Sequence, residues 1–321
     1  MHMQVTSSSP PRALPGRAVR GTTRRAYRDT VVLFDRTPPG ILCPHFVELR
    51  WAFGCPYECQ YCYLAGTSFG RKQFRAYPLE EVLAHLRRSF AERVEPTLYN
   101  AGELSDGMPD HPNTKEIMRL FASPENRRGH RLLLLTKSGP PLNLFSWFLS
   151  GRTEARDARK VVVYSASVNA PAVAAKWERK APHPHARIDA LKTVSALGIE
   201  TRVRVDPIIP IEGWREEYAD VLRRVADAGA RRVTLGTLRG LQRTINFARK
   251  LGYDTSWMEY LKVNTGWGKK MPDESRREIY AFCIDALRDC GFRGDVGICK
   301  ETVEMAKEFG MDLKMRCNCV W

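Results

Sequence analysis

The chain has 321 residues, of which 43% are hydrophobic and 10% aromatic, and its formal net charge is +15. This composition excludes an intrinsically disordered chain and allows one large domain or two smaller ones. No apolar run approaches the ~20 residues that a membrane-spanning helix needs, and no apolar signal segment opens the sequence, so we expect a cytoplasmic protein without a membrane partner. The nine cysteines are odd in number and unevenly spaced. They favour metal or redox chemistry over a disulfide framework.

The chain is predicted to begin with a disordered basic arm over residues 1–40. Six arginines and a single acid, Asp29, lie among Ser, Pro and Gly in residues 1–30. Cationic segments attract polyanions, so DNA is a candidate partner, and a solubilising tail is the alternative. Residues 41–245 are predicted to form the core, and residues 246–321 a C-terminal extension that packs on the barrel and ends in a cysteine-rich tail.

Short β-branched or Leu-rich runs alternate with amphipathic helical segments from Val47 onward. Strands are predicted at HFVELRWAF, PTLYNAG, HRLLLLTKS, KVVVYSASVN, IETRVRVDPII and RRVTLGTLR. Helices are predicted at LEEVLAHLRRSFAER, TKEIMRLFAS, LNLFSWFLSG, ARIDALKTVSALG and EEYADVLRRVADAG. Repeated βα units indicate an α/β fold, a partial (β/α)6 TIM-type barrel, in which functional side chains follow the carboxyl ends of the strands. In the extension, FRGDVGICKE is a candidate further strand.

Three cysteines follow the first predicted strand in the motif GCPYECQYCYLAGT, at Cys55, Cys59 and Cys62. Three thiolates on a compact loop suit an iron-sulfur cluster whose fourth iron stays open for a substrate or cofactor. The alternative is a structural zinc site with a distant fourth ligand. Cys43, Cys283 and Cys290 stand alone in the sequence and are predicted to be small buried residues.

The motif and its place resemble the radical S-adenosylmethionine (SAM) superfamily, and Tyr61 before the last cysteine matches that pattern. The resemblance implies a partial barrel of the radical SAM type and a 4Fe-4S cluster whose open iron binds SAM. It also implies reductive cleavage of SAM by an electron from a donor such as flavodoxin or ferredoxin. In NAGE, after the second strand, Glu103 is expected to hold the SAM amino group, since an ammonium needs an acid.

Within that superfamily, residues 45–260 resemble the spore photoproduct lyase family. The resemblance rests on CQYCYL, LSD, LLLLTKS, SASVN, ERKAPHPHARIDALK and DPIIPIEGWREEY in the same order. It implies that residues at four strand ends lie near SAM, and Asn169 is added to them as a neighbour of Ser167. The predicted SAM-binding residues are Tyr63, Glu103, Ser105, Lys137, Ser167 and Asn169.

The sequence departs from that family at its hydrogen-donor cysteine. The family's cysteine precedes the SD pair, where this chain reads AGELSD, and no cysteine occurs between Cys62 and Cys283. A carboxylate has no weak S–H hydrogen to give. Two hypotheses concern the late cysteines Cys299, Cys317 and Cys319: one of them donates hydrogen, or they bind a second iron-sulfur cluster, one thiolate short. A redox-inert tail is the alternative.

The predicted function is a radical SAM enzyme, lyase-like, that takes a hydrogen atom from its substrate, with a DNA lesion as the leading candidate. The catalytic candidates are Tyr61, Tyr63, Cys299, Cys317 and Cys319, the two tyrosines as aids to radical return. Alternatives are radical SAM modification of a peptide or small molecule, and a non-catalytic metal-cluster protein that binds nucleic acid. The loop NTGWGKK at 264–270 is either a nucleic-acid contact or a plain surface loop.

Overall fold

The fold is built on one central sheet. The computed structural model describes residues 29–67, 73–265, 267–311 and 317–321. Its eight sheet strands are neighbours in chain order. They are β1 Val31–Phe34, β2 Phe46–Leu49, β3 Leu98–Asn100, β4 Arg131–Thr136, β5 Val162–Val168, β6 Glu200–Ile208, β7 Arg232–Thr237 and β8 Asp295–Ile298.

The predicted partial barrel is confirmed. Strands β2 to β7 are the six predicted strands, and each is parallel to its neighbour. The candidate strand in the extension is also real, because β8 pairs in parallel with β7. Strand β1 is antiparallel to β2. In the described ranges β1 and β8 are the two edges of the sheet, which therefore stays open.

Helices cover the outer side of this sheet. They are α1 Leu64–Thr67, α2 Leu79–Glu92, α3 Pro112–Ala122, α4 Leu142–Leu149, α5 Thr153–Val161, α6 Pro171–Trp177, α7 Pro184–Ala196, α8 Trp214–Asp227, α9 Gln242–Lys250, α10 Asp273–Asp289 and α11 Val303–Glu308, with a 3-10 helix at Ser256–Tyr260. Short strands pair Ile41–Leu42 with Glu301–Thr302, Ala52–Phe53 with Arg75–Ala76, Glu58–Cys59 with Glu178–Arg179, and Gly268–Lys270 with both Arg239–Gly240 and Val263–Thr265. No helix in the described ranges is long and apolar enough to span a bilayer.

The predicted helices form for the reasons that their sequences suggest. In α2, the buried residues Val82, Leu86 and Phe90 recur every four positions, and two acids occupy the first turn, where the helix dipole favours them. Helices α7 and α8 are followed by Gly198 and Gly229, with φ of 75° and 78°. Both glycines adopt the left-handed conformation that ends a helix.

Several elements lie outside the predicted pattern, among them helices α1 and α6. Helix α5 buries only Ala155 and Ala158, so it has too little apolar surface to be distinguished from a polar loop in the sequence. Helix α9 crosses the predicted core boundary at 245/246. Strand β1 lies within the predicted disordered arm, because its apolar run Val-Val-Leu-Phe extends the sheet beside β2. Residues 1–28 of that arm lie outside the described residues.

Part of the inner face of the sheet is polar. In register, Arg202 on β6 lies between Ser165 on β5 and Arg232 on β7. These side chains bind the C-terminal segment 317–321 of the chain: Arg202 donates to the carbonyl of Asn318 at 2.7 Å, and Arg232 donates to that of Cys317 at 2.9 Å. The segment therefore lies against the concave side of the open barrel, where it satisfies buried guanidinium groups.

Candidate active site

The cysteine motif forms a loop after β2 that is fixed at both ends. Gly54, with φ of 77°, donates its N–H to the carbonyl of Leu104 at 3.0 Å. Further along, Gln60 donates its N–H to the carbonyl of Trp177 at 2.8 Å, next to the short strand pair of Glu58–Cys59. The loop is thus held against the ends of two other βα units, as a cluster-binding loop requires.

The three cysteines of the loop line one pocket at the carboxyl ends of the parallel strands. Cys59 is buried, whereas Cys55 and Cys62 are half-buried. Most of the other predicted site residues line the same pocket: Tyr61, Tyr63, Glu103, Ser105, Lys137 and Ser167. They come together because parallel strands end at the same edge of a sheet.

Ser105 and Asp106 form the turn that follows β3. Asp106 is buried and accepts hydrogen bonds from Thr136 Oγ1 at 2.5 Å and from the N–H groups of Lys137 and Met108, each at 2.8 Å. Burial raises the pKa of Asp106. Its hydrogen bonds with Thr136 and Lys137 connect this turn to the end of β4. The neighbouring Ser105 hydroxyl is buried and has no hydrogen-bond partner in the described part of the chain.

Lys137 belongs to a buried ion network that the sequence did not reveal. Its Nζ lies 3.0 Å from Ser167 Oγ and 3.0 Å from Glu178 Oε1. Arg187 approaches the other oxygen of Glu178 to 2.6 Å, and both side chains are fully buried. Burial alone would raise the pKa of Glu178, but Lys137 and Arg187 outweigh it and lower the pKa to about 2. Glu178 is therefore a charged carboxylate that orients Lys137 toward the pocket.

Tyr61 and Asn169 are both hydrogen-bonded to this network. The Tyr61 hydroxyl donates to Glu178 and lies 3.3 Å from Asn169 Nδ2. Asn169 is fully buried, donates to the Pro207 carbonyl at 3.0 Å and accepts from the Tyr218 hydroxyl at 2.6 Å. Asn169 does not line the pocket, unlike the other predicted SAM-binding residues. Its hydrogen bonds fix the positions of Tyr61 and Glu178 instead.

Glu103 is held from three sides at the end of β3. Asn100 Nδ2 donates to Glu103 Oε1 at 3.0 Å, and Arg204 lies 3.8 Å from the same oxygen. The Tyr63 hydroxyl donates to the Glu103 carbonyl and lies 3.3 Å from Oε2. Glu103 Oε1 thus faces the Asn100 amide and the Arg204 guanidinium, while the Tyr63 hydroxyl lies next to Oε2.

Gly102 precedes Glu103 at a close approach of two strands. A Cβ there would lie 2.5 Å from Leu135 Cβ and 2.8 Å from the Leu135 carbonyl oxygen. We expect Gly102→Ala to lower the free energy of unfolding by about 1–3 kcal/mol, because neither atom can move away cheaply. Urea denaturation measures this loss. The control is Gly139→Ala, whose Cβ would meet its nearest neighbour at 3.6 Å. Equal losses in both variants would contradict the packing argument.

The far side of the pocket is cationic and aromatic. Asp206 accepts from Arg204 at 2.8 Å and from Arg239 at 2.7 Å. Burial alone would raise the pKa of Asp206, but Arg239 and Arg204 outweigh it and hold the pKa below its usual range. All three residues line the pocket, together with Trp267 and Lys300. Lys300 Nζ lies 4.9 Å from the Trp267 ring centroid, a cation–π contact.

The late cysteines do not line the pocket. Cys299 accepts a hydrogen bond from Arg204 at 3.3 Å, and Cys319 accepts one from Asn100 at 3.4 Å. Cys317 is buried beside them. The structure therefore places these three candidates on the protein side of Arg204 and Glu103, while the loop cysteines face the pocket.

The residues of the pocket fit an iron-sulfur cluster together with SAM. Three thiols of one loop line the same pocket as the Glu103 carboxylate and the Lys137 ammonium. The thiols suit the irons of a cluster, and the two charged groups suit the ammonium and the carboxylate of SAM. The unpartnered Ser105 hydroxyl offers a hydrogen bond to a polar ligand in the same pocket.

The sequence was compared with known protein families and curated proteins. The sequence model of spore photoproduct lyase matches residues 31–237. The curated spore photoproduct lyase of Geobacillus sp. is 26% identical over 231 residues, which cover 70% of this chain and 64% of the relative. That of Clostridium acetobutylicum is 23% identical over 184 residues, covering 56% of this chain and 52% of the relative. The chain thus spans between half and two thirds of the length of these relatives.

Solved structures share the fold. A spore photoproduct lyase double mutant with bound AdoMet and dinucleoside spore photoproduct has a TM-score of 0.63 and 21% identity, over 84% of this chain and 79% of that one. A spore photoproduct lyase complexed with dinucleoside spore photoproduct has a TM-score of 0.62 and 20% identity, over 78% and 75% of the two chains. Since the family model covers well over half of the sequence, this chain belongs to the spore photoproduct lyase family.

Proposed function

We propose that this protein is a radical SAM enzyme that cleaves SAM reductively and abstracts hydrogen from a DNA lesion. The observation that carries the proposal is the shared pocket: the three loop cysteines and five predicted SAM-binding side chains line it together. When bound, the cluster and SAM would supply a 5′-deoxyadenosyl radical that takes a hydrogen atom from the substrate. The chain's own residues bind, orient and shield these reactants.

Each pocket residue suits one part of SAM. Cys55, Cys59 and Cys62 would hold the cluster. Glu103 would accept hydrogen bonds from the SAM ammonium, which needs a nearby carboxylate. Lys137 presents a cation for the SAM carboxylate, and Glu178 keeps this cation in place from behind at 3.0 Å.

Hydroxyl and aromatic groups of the pocket suit the nucleoside of SAM. The unpartnered Ser105 hydroxyl and Ser167 Oγ, which accepts from Lys137 at 3.0 Å, offer hydrogen bonds to the ribose. Tyr63 is 39% exposed and presents its ring at the rim of the pocket, where an adenine can stack.

Family membership and charge support a DNA lesion as substrate. The curated relatives are spore photoproduct lyases, and a solved relative contains a dinucleoside spore photoproduct. The chain carries 51 Lys and Arg against 36 Asp and Glu. Trp267 and Lys300 add a stacking surface and a cation at the pocket wall, a pairing that suits a nucleobase next to a phosphate.

A second candidate is a radical SAM modification that needs no donor thiol. In the part of the chain that the structure describes, the loop cysteines are the only cysteines that line the pocket. Cys299, Cys317 and Cys319 would have to move past Arg204 or Asn100 to return a hydrogen atom to a substrate. Tyr63 remains the candidate for hydrogen return, and we propose metal binding for the late cysteines.

We also propose a division of the chain into three parts, and an electron donor as its partner. Residues 41–245 would carry the radical SAM chemistry, with an N-terminal arm at 1–40 and an extension at 246–321. Strand β8 of this extension completes one edge of the sheet. A flavodoxin or ferredoxin would supply the electron, in a cytoplasmic setting.

The test is an anaerobic assay of the reconstituted full chain with SAM and dithionite. One arm has no substrate, one has undamaged DNA and one has DNA that carries spore photoproduct. We expect 5′-deoxyadenosine in all arms, and more of it, with restored thymines, in the lesion arm. No 5′-deoxyadenosine would overturn the enzyme proposal. 5′-Deoxyadenosine without a lesion-dependent increase would overturn the DNA substrate alone.

Ser105→Ala tests the SAM contact without disturbing the fold. Because the hydroxyl has no partner in the described protein, we expect the free energy of unfolding to change by less than about 0.5 kcal/mol. The Kd for SAM should rise about 3- to 10-fold, the value of one hydrogen bond. Equilibrium dialysis with labelled SAM measures the Kd. Ser138→Ala, outside the pocket, is the control, and equal Kd values for both variants would contradict the contact.

A further inference from the structure

Four cysteines outside the pocket come from distant parts of the chain and lie together. Cys43 follows the short strand Ile41–Leu42, which pairs in antiparallel register with Glu301–Thr302. Leu42, the residue before Cys43, pairs with Glu301, which stands two residues after Cys299. Cys43 was predicted to be an isolated buried residue, and the strand pair instead brings it to the same end as Cys299.

The C-terminal segment brings the other two cysteines to the same place. Its backbone is fixed by Arg232, which donates to the Cys317 carbonyl at 2.9 Å, and by Arg202, which donates to the Val320 carbonyl at 2.6 Å. The Asn318 side chain between them lies 2.8 Å from Ser165 Oγ. These contacts hold Cys317 and Cys319 against the inner face of the sheet.

Cys299 and Cys319 share a neighbour, the carboxylate of Glu103. Arg204 lies 3.3 Å from Cys299 Sγ and 3.8 Å from Glu103 Oε1, and Asn100 Nδ2 lies 3.4 Å from Cys319 Sγ and 3.0 Å from the same Glu103 oxygen. Cys317, two residues before Cys319, is buried. These contacts bring the late cysteines to one place at the inner face of the sheet.

Hydrogen-bond donors surround these sulfurs. Arg204 and Arg239 lie 3.3 and 3.7 Å from Cys299 Sγ, and Asn100 Nδ2 lies 3.4 Å from Cys319 Sγ. Donors to sulfur and nearby cations stabilise an anionic thiolate cluster, and they tune its reduction potential.

We infer that Cys43, Cys299, Cys317 and Cys319 bind a second iron-sulfur cluster, with Cys43 as the fourth thiolate that the late cysteines lack. A cubane cluster needs four sulfurs around it, each bound to a different iron. This second cluster has no open iron, so it cannot bind SAM.

The first test removes the loop cluster. The triple variant Cys55→Ala/Cys59→Ala/Cys62→Ala, reconstituted anaerobically with iron and sulfide, should retain about four irons per chain, where the parent has about eight. Its reduced cluster should give an electron paramagnetic resonance signal that SAM does not change. Loss of all iron from the triple variant would overturn the inference, whatever the parent enzyme does with SAM.

The second test removes the new site. Cys43→Ser and Cys319→Ser should each lower the iron content from about eight to about four, while the remaining signal still shifts with SAM. Cys290→Ser is the matched control, because Cys290 is half-buried at the end of α10 and lies outside both cysteine groups. About four irons in the parent, unchanged by Cys43→Ser, would overturn the inference, as would stoichiometric zinc at the site.

Discussion

Cys62→Ala should abolish 5′-deoxyadenosine formation, with a loss of at least about 1,000-fold, because three thiolates are the minimum that can hold a cluster with one open iron. The cysteine lines the pocket and is only half-buried. Its truncation should cost about 1 kcal/mol of stability, so the fold survives. The assay is anaerobic turnover of SAM with dithionite, and circular dichroism reports the fold.

Total iron is a poor readout for this variant, since a second cluster would remain. The SAM-dependent change of the resonance signal isolates the loop cluster. Cys290→Ala is the control, and its SAM turnover should equal that of the parent. SAM cleavage by the Cys62→Ala variant near the parent rate would refute the assignment of this loop.

Arg187→Met should destabilise the protein by about 3 kcal/mol, because it leaves the buried Glu178 carboxylate with Lys137 as its remaining cationic partner. Arg187 is fully buried and also donates to the Ser167 carbonyl at 3.1 Å. Methionine keeps much of the side-chain volume and removes the charge. Urea denaturation at neutral pH measures the loss.

The Arg187–Glu178 ion pair makes the free energy of unfolding depend on pH. The pKa of Glu178 is lowered from 4.5 to about 2 by folding, so its stabilisation is fully present above about 4.5 and is lost as the pH falls toward 2. In Arg187→Met the folded-state pKa should rise, and the acid-induced loss of stability from this group should shrink. Denaturation between pH 2 and 7 tests this. An unchanged profile would contradict the role of the ion pair.

A double-mutant cycle separates charge from packing. If the uncompensated carboxylate is the cause, adding Glu178→Gln to Arg187→Met should recover part of the lost stability. The surface control Arg223→Met removes an arginine that is 53% exposed, and it should change stability by less than about 1 kcal/mol. No recovery in the double variant would assign the loss to packing instead.

The barrel and much of the site could be predicted from local patterns. Strands such as β4 and β5 are continuous apolar runs, typical of strands buried on both faces, and helices such as α2 have clear periodicity. Parallel strands all end at one edge, so residues after different strands could be expected to meet. Tyr63, Glu103 and Lys137 do line one pocket.

Residues held by non-local contacts could not be predicted. Glu178 and Tyr61 are 117 residues apart in the sequence, and a strand pair two residues long brings them into contact. So short a pair leaves no recognisable pattern in the local sequence. Asn169 follows its strand like the other predicted residues, yet its side chain turns into the core. The side on which a residue at a strand end lies depends on local backbone geometry that periodicity does not encode.

The sequence by itself determined the cysteine loop, since the spacing of Cys55, Cys59 and Cys62 fixes three thiols on one short segment. Only the tertiary structure decided which groups surround them and which lone residues have partners. It brought Cys43 to the same end of a strand pair as Cys299, and it paired Arg187 with Glu178. The physical reason is the separation along the chain. The spacing of cysteines within one loop is a property of adjacent residues, whereas burial and ion pairing depend on segments that only folding brings together.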